Sequence, residues 1–402
     1  MSTPAEQFDH ITRTVDVALP EGALLSQLER SVETGVPLRV KLGVDPTAPD
    51  VTLGWAVVFD LLRRFQEMGH TAVLILGDFT AQVGDPSGKS STRKRLTDAE
   101  VNAYAEHCLP TIKSLLLEEN LEIRRNSEWL GAMDMADVLK MTASVTVSRL
   151  MDREDFAARY RANEPISLIE FMYPLLQATD SVAVEADVEI GGNDQLLNLL
   201  MGRELQEQAG QRPQSVVTVP LLVGTDGAMK MSQSIGNYIS VREDADEMFG
   251  KTMSIPDELM PQWFRLAAGS PLEEVAAIEA GLRDGSLHPG EQKRLLGRRI
   301  VERYHGEGSG EAAEAAFDRV FREGGIPEEV PVAGLGAGDE IWLPGALCDA
   351  GLVASNSEGR RMLEQGAVKI DGKRQDDETV PRSAIVGTVV QVGKRRFVRF
   401  VD

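Results

Sequence analysis

Cysteine is almost missing from this chain of 402 residues: only Cys108 and Cys348 occur, far apart and outside any Cys-x-x-Cys spacing. That excludes a disulfide scaffold and a zinc finger, and makes a reducing, cytoplasmic compartment the expectation. Histidine is nearly as sparse, with five scattered residues and no His-Glu-x-x-His spacing, so no metal site is expected. No apolar run approaches the ~18 residues of a membrane span. The opening MSTPAEQFDH lacks the basic and apolar stretches of a signal peptide. Positive charge is also in deficit, with 42 Lys and Arg against 63 Asp and Glu and a net charge of −21. Taken over the whole chain, that balance disfavours a polyanionic partner.

What is present is ordinary globular material, 42% apolar and 26% charged, and long enough for two or three domains. Residues 37–44 (PLRVKLGV) and 71–77 (TAVLILG) read as buried strands. Between them Leu53, Val57, Val58, Leu61, Leu62 and Phe65 recur at helical spacing until Gly69. Strand, helix, strand predicts a parallel α/β sheet. A further strand is predicted over 215–223, before the turn GTDGAMK. From about 244 to 324 only helical patterns occur. Gly- and Pro-rich residues 326–339 read as a linker, and 340–402 as a short helix pair followed by alternating strands.

Three polar segments suit nucleotide chemistry. In GDPSGKSSTRKR, residues 84–95, four cations stand against the single acid Asp85. Val83 occupies the first-glycine position of a P-loop, so the segment reads instead as a cationic loop that closes over a polyphosphate; a solvated surface loop is the plainer alternative. KMSQS, Lys230–Ser234, follows a strand and a Gly-rich turn. DPTAPDVTLGW, Asp45–Trp55, leaves a strand end and opens a helix, where α/β sheets bind ligands and free N–H groups meet anions.

These strings, with RRNSEWLG, EFMYPLLQATDSVAVEADVEIGGNDQ and NLLMGRELQ, resemble the tyrosyl-tRNA synthetases of the bacterial class I type. The closing VASNSEGRRMLEQGAVKIDGK resembles an S4 RNA-binding module. The resemblance spans nearly the whole chain. It implies an α/β Rossmann-like catalytic domain over 1–226 with an inserted dimerisation region, an α-helical anticodon-binding-type domain over 227–325, the linker, and an α+β S4-like module over 340–402. It also implies ATP-dependent activation of L-tyrosine and transfer to tRNA(Tyr), with Mg²⁺ carried by the ATP phosphates, in a cytoplasmic homodimer.

By position, the resemblance places Asp85, Asn126, Tyr173, Gln177, Asp180 and Gln195 around the tyrosine. Asp45, Gly54, Trp55, Gly192, Asp194, Met231, Ser232 and Ser234 fall on the ATP side. Thr47, Thr52, Lys89, Arg93, Lys230 and Gln233 stand at catalytic positions, and Arg360, Arg361, Lys369 and Lys373 at RNA-binding ones. A buried acceptor at Asp180 would reject phenylalanine, which leaves it unpaired; the tyrosine–phenylalanine case is the standard illustration of that principle.

The chain departs from the family at two signatures. His-x-Gly-His reads Thr52-Leu53-Gly54-Trp55, and Lys-Met-Ser-Lys-Ser carries Gln233 in place of its second lysine. Thr179 stands where an aromatic is usual, and Asn356 interrupts a Ser-Lys-Ser. Two other readings therefore stand beside the ligase: a paralogue that binds tyrosine or tRNA without efficient adenylation, and an enzyme for a modified tyrosine. Net charge is unevenly placed. Residues 341–402 hold ten Lys and Arg against eight Asp and Glu, so the RNA-like module escapes the acidity of the rest.

Overall fold

The computed structural model describes residues 2–86, 96–321, 330–336, 338–393 and 396–402. The chain forms two compact units, Met1–Asp244 with Lys251–Leu296, and Ala245–Gly250 with Gly297–Asp402.

The first unit is built on six strands: β1 (Val17–Leu19), β2 (Arg39–Val44), β3 (Thr71–Leu76), β4 (Leu121–Arg125), β5 (Val188–Gly192) and β6 (Ser215–Val219). They lie in the order β1-β6-β5-β2-β3-β4. β1 runs antiparallel along β6, and the other pairings are parallel, as the strand–helix–strand pattern predicts. β3 is the clearest core strand: Ala72, Val73, Leu74 and Ile75 are fully buried. Each such large side chain contributes roughly 1.5–3 kcal/mol of transfer free energy.

The helix after β2 spans Leu53–Glu67, buries Leu53, Val57, Leu61, Leu62 and Phe65, and is N-capped by Thr52. Gly69, at φ 89°, turns the chain into β3. The strand read over 215–223 stops at Val219, because Pro220 has no N–H to give a neighbour. Strand order reverses at β2, with β3 and β4 on one side and β5 and β6 on the other. The C-terminal ends of β2 and β5 thus flank a switch-point crevice, where such sheets place their ligands. Helices Leu168–Ala183 and Leu196–Gln208 sit beside it and share a core with the 127–150 segment through Leu130, Met141, Leu150, Leu175, Leu176 and Met201.

In the second unit, β7 (Val332–Gly334), β9 (Val368–Ile370), β10 (Lys373–Arg374), β12 (Val389–Val392) and β13 (Arg396–Val401) form a sheet ordered β10-β9-β12-β13-β7. β8 (Glu340–Trp342) and β11 (Thr379–Pro381) pair separately. Leu343, Leu347, Leu363, Val368, Val390, Val398 and Phe400 join the helices Leu343–Asp349 and Asn356–Glu364 to the sheet. β7 lies inside the stretch read as a linker, and runs parallel to the last strand. No helix among the described residues is long and apolar enough to cross a membrane.

Candidate active site

The crevice floor begins where β2 and β3 end. Asp45 follows β2; its Oδ1 accepts from the Thr80 hydroxyl at 2.7 Å and its Oδ2 from the Tyr173 hydroxyl at 3.0 Å. Gly77 makes room for this contact, since a Cβ there would fall 2.0 Å from Asp45 Oδ1 and 2.3 Å from Thr80 Oγ1. Burial pushes the Asp45 carboxyl up to about 7, against the Thr80 hydrogen bond, with Asp85 and Asp180 adding repulsion. The buried Tyr173 phenol is held well above its ordinary range.

Asp180 projects from the Leu168–Ala183 helix, where Trp129 Nε1 donates to its Oδ1 at 2.8 Å and Asn126 Nδ2 to its Oδ2 at 3.3 Å. Asn126 also donates to Thr80 Oγ1 at 3.0 Å and accepts from the Phe79 amide at 3.0 Å. Burial raises Asp180 to about 6, while Lys41, Trp129 and Asn126 hold it down. Around neutral pH it is therefore mostly an acceptor.

Beneath these carboxylates lies an ion pair foreseen by no motif. Lys41 of β2 and Glu189 of β5 meet at 2.9 Å, both essentially without solvent exposure. Lys41 also donates to the Gln177 carbonyl and the Ser181 hydroxyl, each at 2.8 Å. Glu189 accepts from Gln177 at 3.1 Å, from Ser181 at 3.0 Å and from Gln214. A buried pair with every partner supplied is tolerated, whereas either charge alone would be costly. From here amides run outward. Asn198 donates to Gln177 at 3.2 Å and to Gln195 at 3.0 Å, and Gln195 donates to Asp85 at 2.7 Å. Arg153 fixes Asn198 from behind at 2.9 Å. The six residues of the tyrosine set thus lie in two adjoining networks, joined through helix Leu168–Ala183. Lys41, Glu189, Thr80, Trp129 and Asn198 complete them; a charged residue in each of two apolar strands was the only hint of the ion pair.

Of the residues that the resemblance puts on the ATP side, Asp45 thus lies on the floor with Thr80 and Tyr173. The Thr47 amide donates to the Asp45 carbonyl at 2.8 Å, closing a tight turn. Thr52 is buried, and its hydroxyl oxygen accepts from the Trp55 amide at 3.3 Å, so this side chain serves as a helix cap. Trp55 is half-buried. The Gly54 amide meets the Met231 sulfur at 3.3 Å, seating the 230–234 segment on the helix start. Lys230 pairs with Asp194, beside Gly192, where a Cβ would strike Leu221 at 2.6 Å. Ser232 and Ser234 share a hydroxyl hydrogen bond at 2.9 Å. Asn237, which carried no assignment, holds the turn by accepting from the Ser232 amide at 2.8 Å and donating to the Lys230 carbonyl at 3.2 Å. Gln233 contacts the Asp50 backbone. Lys89 and Arg93 lie outside the described residues.

In the second unit Arg360 bonds Glu378 at 3.1 Å and lies over the Trp342 ring at 5.4 Å. Arg361, Lys369 and Lys373 are exposed.

The family described as tRNA synthetases class I (W and Y) matches residues 33–322. The tyrosine–tRNA ligase of Moorella thermoacetica is 49% identical over 395 residues, 98% of this chain and 95% of that protein. The tyrosine–tRNA ligase of Desulfotalea psychrophila is 46% identical over 401 residues, 100% of this chain and 99% of that protein. Among solved structures, tyrosyl-tRNA synthetase from Archaeoglobus fulgidus, complexed with L-tyrosine, is 26% identical with a TM-score of 0.61, covering 78% of this chain and 99% of that one. With that match added to the switch-point crevice and its paired carboxylates, the chain belongs to the class I tRNA synthetases of the tryptophan and tyrosine family.

Proposed function

We propose that this protein is a tyrosine–tRNA ligase that activates L-tyrosine with ATP and transfers it to tRNA(Tyr). The observation that carries the choice of amino acid is Asp180. Its carboxylate is fixed by Trp129 and Asn126 at the base of the crevice and keeps lone pairs for a phenol hydroxyl. Asp85, Tyr173, Gln177 and Gln195 offer acceptors around the ammonium group. The carboxylate of tyrosine attacks the α-phosphorus of ATP, and pyrophosphate leaves with Mg²⁺ held by the phosphates. Lys230 is the located cation of that side, and Lys89 and Arg93 are assigned by resemblance as the further cations that neutralise the leaving group. The ribose sits by Gly192 and Asp194. The aminoacyl group then passes to the 3′ end of the tRNA.

The domain over 227–325 and the module over 340–402 hold the tRNA, the latter through Arg360, Arg361, Lys369 and Lys373. The reaction belongs to the cytoplasm. A homodimer is the assembly, supported by Met135, Tyr160 and Leu168, which are 73%, 71% and 82% exposed in and beside the inserted region. The deciding assay is tyrosine-dependent ATP–pyrophosphate exchange, followed by charging of tRNA(Tyr). Exchange with tyrosine and none with phenylalanine is expected. Tyrosine binding without exchange would refute the ligase.

A further inference from the structure

We propose that Gln233 is a positioning residue whose carboxamide clasps the Asp50 peptide and so fixes Lys230–Ser234 against the turn that enters the Leu53–Glu67 helix. The contact is reciprocal: Gln233 Nε2 donates to the Asp50 carbonyl at 2.6 Å, and the Asp50 amide donates to Gln233 Oε1 at 3.1 Å. A carboxamide presents donor and acceptor side by side, as a neighbouring strand would. A lysine at this position offers donors alone and a glutamate acceptors alone.

The clasp extends an existing seam. The Leu53 amide donates to the Ile239 carbonyl at 2.9 Å, and the Val241 amide to the Val51 carbonyl at 2.8 Å. The Tyr238 hydroxyl donates to Asp50 Oδ2 at 2.9 Å, and Gly54 meets Met231 on the other flank. Residues 50–54 are therefore gripped from both sides of the 230–241 segment, and Gln233 closes the part nearest Lys230. The side chain thereby spends both its polar atoms on the backbone and organises the phosphate side by holding Lys230 and the Ser232 hydroxyl in place.

The catalytic consequence rests on the adenylation reading; the clasp itself does not. Gln233→Ala and Gln233→Lys test it together. Amide hydrogen–deuterium exchange of residues 45–55 in the substrate-free protein should become about tenfold faster in Gln233→Ala, as loss of two ordinary hydrogen bonds implies, and about threefold faster in Gln233→Lys, which leaves the Asp50 amide without its acceptor. In the pyrophosphate-exchange assay both should raise KM for ATP several-fold and leave KM for tyrosine unchanged. Unchanged amide protection in either variant overturns the clasp, and a kcat gain in Gln233→Lys overturns its catalytic role and marks position 233 as a phosphate contact. Should the unmutated protein show no exchange activity, the ligase reading fails, while the amide measurement still decides the clasp.

Discussion

Replacing Trp129 by Phe removes one donor from Asp180 and keeps the ring that packs beside Leu130 and Met141. The lost bond, 2.8 Å from Nε1 to Oδ1, stabilises the ionised carboxylate. Hydrogen bonds to charged groups contribute about 1.5–3 kcal/mol, and each ~1.4 kcal/mol changes a protonation equilibrium tenfold. Asp180 titrates at about 6, so at neutral pH it is mostly ionised. Losing a donor to the charged form raises that value, to roughly 7–8 on this arithmetic, and leaves only about 10–50% ionised at pH 7. A protonated Asp180 has one oxygen fewer to accept the phenol. For Trp129→Phe, kcat/KM for tyrosine in pyrophosphate exchange should therefore fall about two- to tenfold at pH 7 and recover above about pH 9. A pH profile with its lower limb moved upward supports the role of Asp180. An unmoved limb, or a loss that is the same at every pH, refutes it.

Three further outcomes follow from neighbouring contacts. Asp45 and Asp180 carry folded values of about 7 and about 6 against an ordinary 3.8, so folding takes up protons between those limits. Stability of the substrate-free protein should therefore be greatest below about pH 4 with respect to these groups and fall as pH rises to about 7, a decline that Asp45→Asn flattens in thermal melts. Gly77→Ala drives a methyl group into Asp45 and Thr80, and should lower both Tm and exchange activity, the latter by more than about tenfold. Thr52→Ala should cost about 1 kcal/mol in denaturant unfolding through loss of the helix cap, and Thr52→Ser almost nothing.

Half of the six-stranded sheet, β2, β3 and β6, was legible, because β2, β3 and the helix between them carry their own periodicity and stop signals. The tyrosine set rests on a resemblance, position by position; the structure adds how those side chains connect. Lys41 escaped because it sits in an apolar run, and its need for Glu189 appears only once β2 and β5 are neighbours in register, Lys41 opposite Glu189. Trp129 escaped for a related reason: an indole beside Arg124 at 5.4 Å looks like surface packing until Asp180 is placed on its N–H. Gln233 is legible only as a substituted signature lysine, and the Asp50 backbone facing it has no signal in the local pattern. Composition misled at β7. Gly- and Pro-rich residues suggest a tether, yet three of them find ladder partners in the last strand.

That last pairing has a mechanical consequence. β7 and β13 are parallel, with Val332 opposite Arg399 and Gly334 opposite Val401. Tension applied between the chain before Pro331 and the chain after Val401 would drag the two strands past one another along their length. The Arg399 amide on the Pro331 carbonyl, at 2.7 Å, and the Leu335 amide on the Val401 carbonyl, at 3.1 Å, would then share the load at once instead of opening in turn. The sheet is thus clamped in shear at the point where the chain arrives, and a truncation that begins at residue 340 would remove the clamp along with the tether.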